Sequence, residues 1–168
     1  LFGDKVYDVS AMTNAVETAV GEVSSEVHVP KDVTAKIVDV AMDLVKPIIV
    51  DTVKTGFELT NAQADKIEKQ LKEIITEKVK KVENDNYRKQ FEVKQKAADE
   101  IKIAEESLGE DEFETAIKEI EAKQQAEFDR LQAEFTKSLN ETIKETIEEQ
   151  KTVQVEEQAR IKAEKNKN

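Results

Sequence analysis

Two long ladders of apolar residues, one on each side of Gly109, constrain this chain more than anything else in it. The first runs Ile67, Leu71, Ile75, Val79, Val82, Tyr87, Phe91, Ile101 and Leu108; the second runs Phe113, Ile117, Ile120, Phe128, Leu131, Phe135, Leu139, Ile143 and Ile147. Both advance mostly by three or four residues through heavily charged sequence, the spacing of a single apolar stripe along an α-helix. Charged residues make up 38% of the chain, and glycine (4) and proline (2) are scarce. A sheet-rich fold needs more turn-forming residues than that. The expected fold class is therefore all-α.

Thr60 or Asn61 is placed to cap a helix over 61–107, and a second helix is expected over 111–162. Between them Ser107 to Glu110 form the break, where Gly109 is expected to supply the left-handed conformation that commonly ends helices. Glu110, Asp111, Glu112 and Glu114 then crowd a helix start, where the dipole favours negative charge. So short a break favours antiparallel neighbours. In such a hairpin, facing residues have positions that add to a constant, about 218 for a turn at Gly109. Tyr87 with Leu131, Val79 with Leu139, Ile75 with Ile143, Leu71 with Ile147 and Ile101 with Ile117 all add to 218; Phe91 with Phe128 adds to 219 and Val82 with Phe135 to 217. These residues make the expected hairpin seam.

Charge agrees with that pairing. Residues 60–90 carry eight bases and six acids, residues 111–150 five bases and twelve acids, although an exposed ion pair contributes only about 0–1 kcal/mol. The steps through Ile117, Ile120, Gln124, Phe128, Leu131, Phe135 and Leu139 follow an eleven-residue rhythm. A stripe with that period barely drifts around a straight helix, so a nearly straight, coiled-coil-like hairpin is expected. Lys94 and Gln124 interrupt the stripes and also add to 218; their tips are expected to reach water.

Residues 1–58 differ in kind, with thirteen valines and moderate charge. Ser10 can cap a short helix carrying Met12, Ala15, Val16, Ala19, Val20 and Val23 on one side. Glu26 to Pro30 reads as extended, because the residue before proline avoids the helical region. Asp32 resembles an N-cap for a helix that should stop or kink at Pro47. Residues 48–57 fit a strand or a short helix; the absence of sheet partners favours helix. The division expected is a Val-rich helical region over 1–58 and a long hairpin over 59–168 turning near 108–111. Ile37, Val38, Leu44, Ile48, Ile49, Val53 and Phe57 form the candidate assembly surface. A two-helix hairpin has little core of its own, so either the N-terminal region folds back over it or other chains cover it.

The chemical inventory is thin. There is no cysteine and one histidine, His28, with no second ligand or nucleophile motif beside it. No catalytic, cofactor or metal site is expected. The carboxylates at 110–114 lack the alternating spacing that wraps calcium. A net charge of −11 disfavours nucleic acid, and the basic run Lys78, Lys80, Lys81, Arg88, Lys89 is interleaved with acids as in a solvated helix face. No run is apolar enough for an ordinary transmembrane helix and no secretion signal opens the sequence; a cytoplasmic or virion-associated location is the working expectation.

A Lys/Glu/Ile/Asn-rich helical chain of this kind resembles in composition the small helical structural proteins of bacteria and their phages, including virion and scaffolding components. The function expected is a non-enzymatic structural or interaction protein that self-associates or docks into a larger complex through residues 1–58 and the hairpin. The alternative is a membrane-active protein using the amphipathic segment 33–57, an architecture similar to that of some helical pore-forming toxins.

Overall fold

The computed structural model describes Phe2, Asn14 and residues 31–167; the short helix expected after Ser10 and the extended stretch around His28 lie outside the described residues. Among the described residues the regular structure is all helix. Helix α1 spans Lys31–Val45, a π-helical turn spans Lys46–Val50, α2 spans Asp51–Gly56, α3 spans Asn61–Ser107 and α4 spans Glu110–Asn166. Asp32, expected as an N-cap, lies within α1 as described from Lys31.

Pro47 does not stop the chain. Proline lacks an N–H, and its ring presses on the carbonyl four residues back. Here the backbone widens to an i→i+5 turn: the Asp51 N–H donates to the Lys46 carbonyl, and Thr52 Oγ1 donates to the Pro47 carbonyl at 3.2 Å. The wider turn lets Ile48, Ile49 and Val50 all be buried in succession, whereas the tighter α-helical turn of about 3.6 residues spreads three neighbours over more than half of its circumference. The β-branched stretch that could have been a strand is thus helical throughout.

The exit from α2 is a Schellman turn, with the Glu58 N–H donating to the Thr55 carbonyl at 3.4 Å and the Leu59 N–H to the Lys54 carbonyl at 2.9 Å. Its left-handed position falls on Glu58, at φ 53, two residues after the glycine that would adopt that conformation freely. A capping box follows at once. Thr60 Oγ1 accepts from the Gln63 N–H at 3.2 Å, and the Thr60 N–H donates to Gln63 Oε1 at 2.9 Å, which satisfies two of the donors a helix start leaves open.

Helices α3 and α4, 47 and 57 residues long, extend for about 70 and 85 Å at 1.5 Å per residue. They are joined by Leu108 and Gly109 alone. The left-handed glycine expected there is not found: Leu108 lies at φ −119, ψ 154 and Gly109 at φ −72, ψ 167, both extended. Two extended residues suffice to turn the chain, and Gly109 acts as the N-cap of α4, its carbonyl accepting from the Phe113 N–H at 2.8 Å. A Cβ added at Gly109 would meet nothing within 4 Å, so no steric demand reserves the position for glycine.

The two long helices pack along each other, α1 packs on α3, and the π-turn touches both long helices. One hydrophobic core results. Ile37, Ala41, Val45, Ile49 and Val53 meet Ile67, Leu71, Ile75 and Val79 of α3 and Phe135, Leu139, Ile143 and Ile147 of α4. Phe2 packs against the same core with Lys151 Nζ 5.8 Å from its ring centroid, near enough for a cation–π contact. Two single-striped helices leave their seam open to water along both flanks; residues 31–57 act as the third layer that closes it, but only at the end remote from Gly109.

Candidate interaction surface

The seam residues divide into two groups according to whether that third layer reaches them. Leu71, Ile75, Val79, Leu131, Phe135, Leu139, Ile143 and Ile147 are buried, five of them at 0% exposure. Toward Gly109 the stripe continues without cover. Tyr87, Ile101, Ile117 and Phe128 are only half-buried. Phe91 is 56% exposed, so its place in the expected seam is not realised. Ile103 and Leu108 are also exposed. In this arm the residues fully covered by the partner helix are the small Ala97 and Ala104, and Lys94 and Gln124 lie half-buried among them. Between the two helices runs an open groove of about 640 Å³, walled by Val93, Ala97, Ile120 and Gln124 and rimmed by Lys89, Lys96, Lys123, Arg130 and their neighbouring glutamates.

A band of buried polar groups marks where cover ends. Glu83 is only 4% exposed and accepts from Thr34 Oγ1 at 3.1 and 3.0 Å, which ties α1 to α3. One turn on, Asn86 Nδ2 donates to the Leu131 carbonyl at 3.3 Å, and Gln90 Nε2 donates to Asn86 Oδ1 at 2.6 Å. Lys89 then reaches Glu134, which also receives Arg130 at 3.2 Å. The apolar ladder misplaced this stretch by following residue type to Val82 and Tyr87. A strict helical period carries the buried line through Glu83 and Asn86, and on α4 through Gln150 and Gln154, all buried. Helical phase, continued past the last apolar residue, was the signal that would have found them.

Burial pushes the Glu83 carboxyl above its ordinary range; the Thr34 hydrogen bonds and the Lys80 charge oppose that shift without cancelling it. An acid whose pKa is raised by folding contributes stability that is complete below its unfolded value and lost as the pH rises through its folded value. The protein is therefore less stable at neutral pH, as far as this group is concerned, than just above pH 4.5. Glu83→Gln keeps an acceptor for Thr34 and removes the buried charge. It is expected to stabilise the fold at pH 7 by about 1 kcal/mol and to lose that advantage as the pH falls toward 5, as read from urea melts at the two values. Glu134 and Glu157 shift the opposite way, held low by hydrogen bonds from Lys89 and from Arg160.

No known protein family matches the chain, and no curated protein or solved structure matches it. Function must then be argued from surfaces, and one expected surface is lost. Of the candidate assembly residues, Ile37, Val38, Ile48, Ile49 and Val53 are buried in the core, and Leu44 and Phe57 are half-buried against it. The apolar face of 33–57 is turned inward because the nearest apolar stripe in need of cover belongs to the same chain. The membrane alternative needs that same face free; among the described residues no helix is long and apolar enough to cross a membrane. Nor does any group of three or more His, Asp or Glu among them have the arrangement to hold a metal ion.

Proposed function

We propose that this chain is a non-enzymatic structural or interaction protein whose docking element is the distal arm of the coiled-coil-like hairpin, residues 86–131, anchored by the three-layered end. The observation that carries this reading is the change in burial along one continuous stripe: covered from Leu71 to Val79 and from Leu131 to Ile147, and open at Phe91, Ile101, Ile117 and Phe128. Apolar residues left open along one arm in this way support a role in binding. Assembly into a larger particle, of the virion or scaffold kind that the composition resembles, is the setting proposed for it.

Hydrogen exchange on the isolated chain at submicromolar concentration tests the reading. Amides of residues 90–128 are expected to exchange at least about tenfold faster than those of 64–82 and 135–150, because protection follows buried apolar packing. Uniform protection along both helices would mean that the hairpin is self-sufficient, and the docking role would fall.

A further inference from the structure

The arm is electrically lopsided along its length. Its collar, residues 86–98 of α3 and 123–132 of α4, carries six bases and three acids; its tip, residues 99–122, carries ten acids and two bases. The open groove begins at Glu134, just outside the collar, enters it at Lys89 and Arg130, and runs toward the tip past Glu100 and Ile120. A partner suited to this surface must be helical or flat enough to lie along two parallel ridges, apolar at its centre, acidic where the collar lies and basic where the tip lies. The arm itself, turned end for end, meets that description.

We propose that the arm pairs with the arm of a second copy of this chain, running antiparallel, so that the acidic tip of each lies against the basic collar of the other. The proposal rests on the docking reading above and supplies its occupant. A two-fold axis crossing the arm near Ala97 and Glu121 lays each helix over its own counterpart. It brings Arg130 level with Glu112 of the second copy and Lys123 level with Glu119 of the second copy. At the centre of the groove, formed by Val93, Ala97 and Ile120, Ala97 and Ile120 then lie close to their symmetry mates, Val93 comes level with Ile101 of the second copy, and the groove receives the layer that residues 31–57 provide at the other end. From residue 86 to the turn the arm is about 36 Å long and two helices wide, which gives a face of about 700 Å² per copy, close to the roughly 800 Å² of a standard stable interface.

Sedimentation equilibrium of the full chain at low salt and tens of micromolar concentration is expected to give a dimer, twice the 19.0 kDa of one chain, that weakens as salt is added. Lys123→Glu with Arg130→Glu sets acid against acid and is expected to weaken dimerisation by about tenfold or more. Glu112→Arg with Glu119→Lys does the same with the signs reversed. Mixing the two double variants is expected to restore the dimer as a heterodimer, which damage to either fold cannot do; circular dichroism checks that each variant stays helical. A monomeric wild-type chain overturns self-pairing, and so does a dimer indifferent to both variants or a mixture that stays monomeric. The exchange measurement separates the two readings. A monomer whose arm exchanges fast leaves docking standing with a different partner, and a monomer whose arm is well protected removes both.

Discussion

Ile49→Asp is expected to undock residues 31–57 from the long helices and to destabilise the protein by several kcal/mol. Ile49 is at 0% exposure in the middle of three consecutive buried residues, and the π-turn that carries it touches both α3 and α4. The substitution removes the burial of a large aliphatic side chain, about 2–3 kcal/mol. It also places a carboxylate where no donor is arranged to receive it, which costs at least as much again or forces the segment out into water. Against a total stability of about 5–15 kcal/mol for a domain, that is a large share. Thermal melting should show a drop of well over ten degrees, or two transitions, with a new dye-binding apolar surface. An unchanged melt would mean that 31–57 is not held in the core in solution. Its apolar face would then be available to other chains or to lipid, as the sequence alone had suggested.

The second large effect is a contrast between two truncations on one helix. Leu71→Ala removes a fully buried side chain at the junction of all three layers and is expected to cost about 3–5 kcal/mol, the range for a cavity that cannot collapse. Ile101→Ala, on the same stripe but half-buried in the arm, is expected to cost about 1 kcal/mol or less, since water already covers part of what is removed. Urea titrations of the two variants at a concentration where the chain is monomeric measure both. Equal costs would show a seam packed evenly from end to end and would remove the distinction on which the docking role depends.

How much of this could be read from the sequence depends on which physical rule governed each residue. The long helices are legible because the three-four spacing runs through dozens of residues and because the cap at Thr60 and the break at Leu108–Gly109 punctuate it. The backbone details were not. Gly109 drew the left-handed conformation in expectation, yet the left-handed residue is Glu58, where the geometry of a Schellman turn outweighs the preference of the side chain. Pro47 signalled an ending and produced a widened turn, because the apolar residues after it had a core to enter. Which half of the stripe is covered was beyond any pattern of spacing: Leu71 and Ile101 lie on one stripe with the same three-four rhythm, and the placement of a third layer distinguishes them. Glu83 and Asn86 were hidden by their polarity, although their phase is that of the core. Charge composition, by contrast, reads directly along the arm, since the acidic tip and basic collar are contiguous in sequence on each side of the turn.

The widened turn after Val45 has a consequence for how this chain tolerates change. A π-turn is one extra residue accommodated inside a helix, and every residue beyond it is rotated by about 100° relative to an uninterrupted helix. Straightening the turn with all five residues Lys46–Val50 kept would swing Val53 and Phe57 around the axis, away from the core they pack on, whereas deleting one of the five removes the extra residue and leaves their facing nearly unchanged. A gain in length here is therefore less tolerated than a loss or a change of identity. Aliphatic residues can exchange for one another at positions 48 to 50, while a frame-preserving gain of a single codon in that stretch adds a further rotation of about 100° and separates the N-terminal layer from the hairpin it covers.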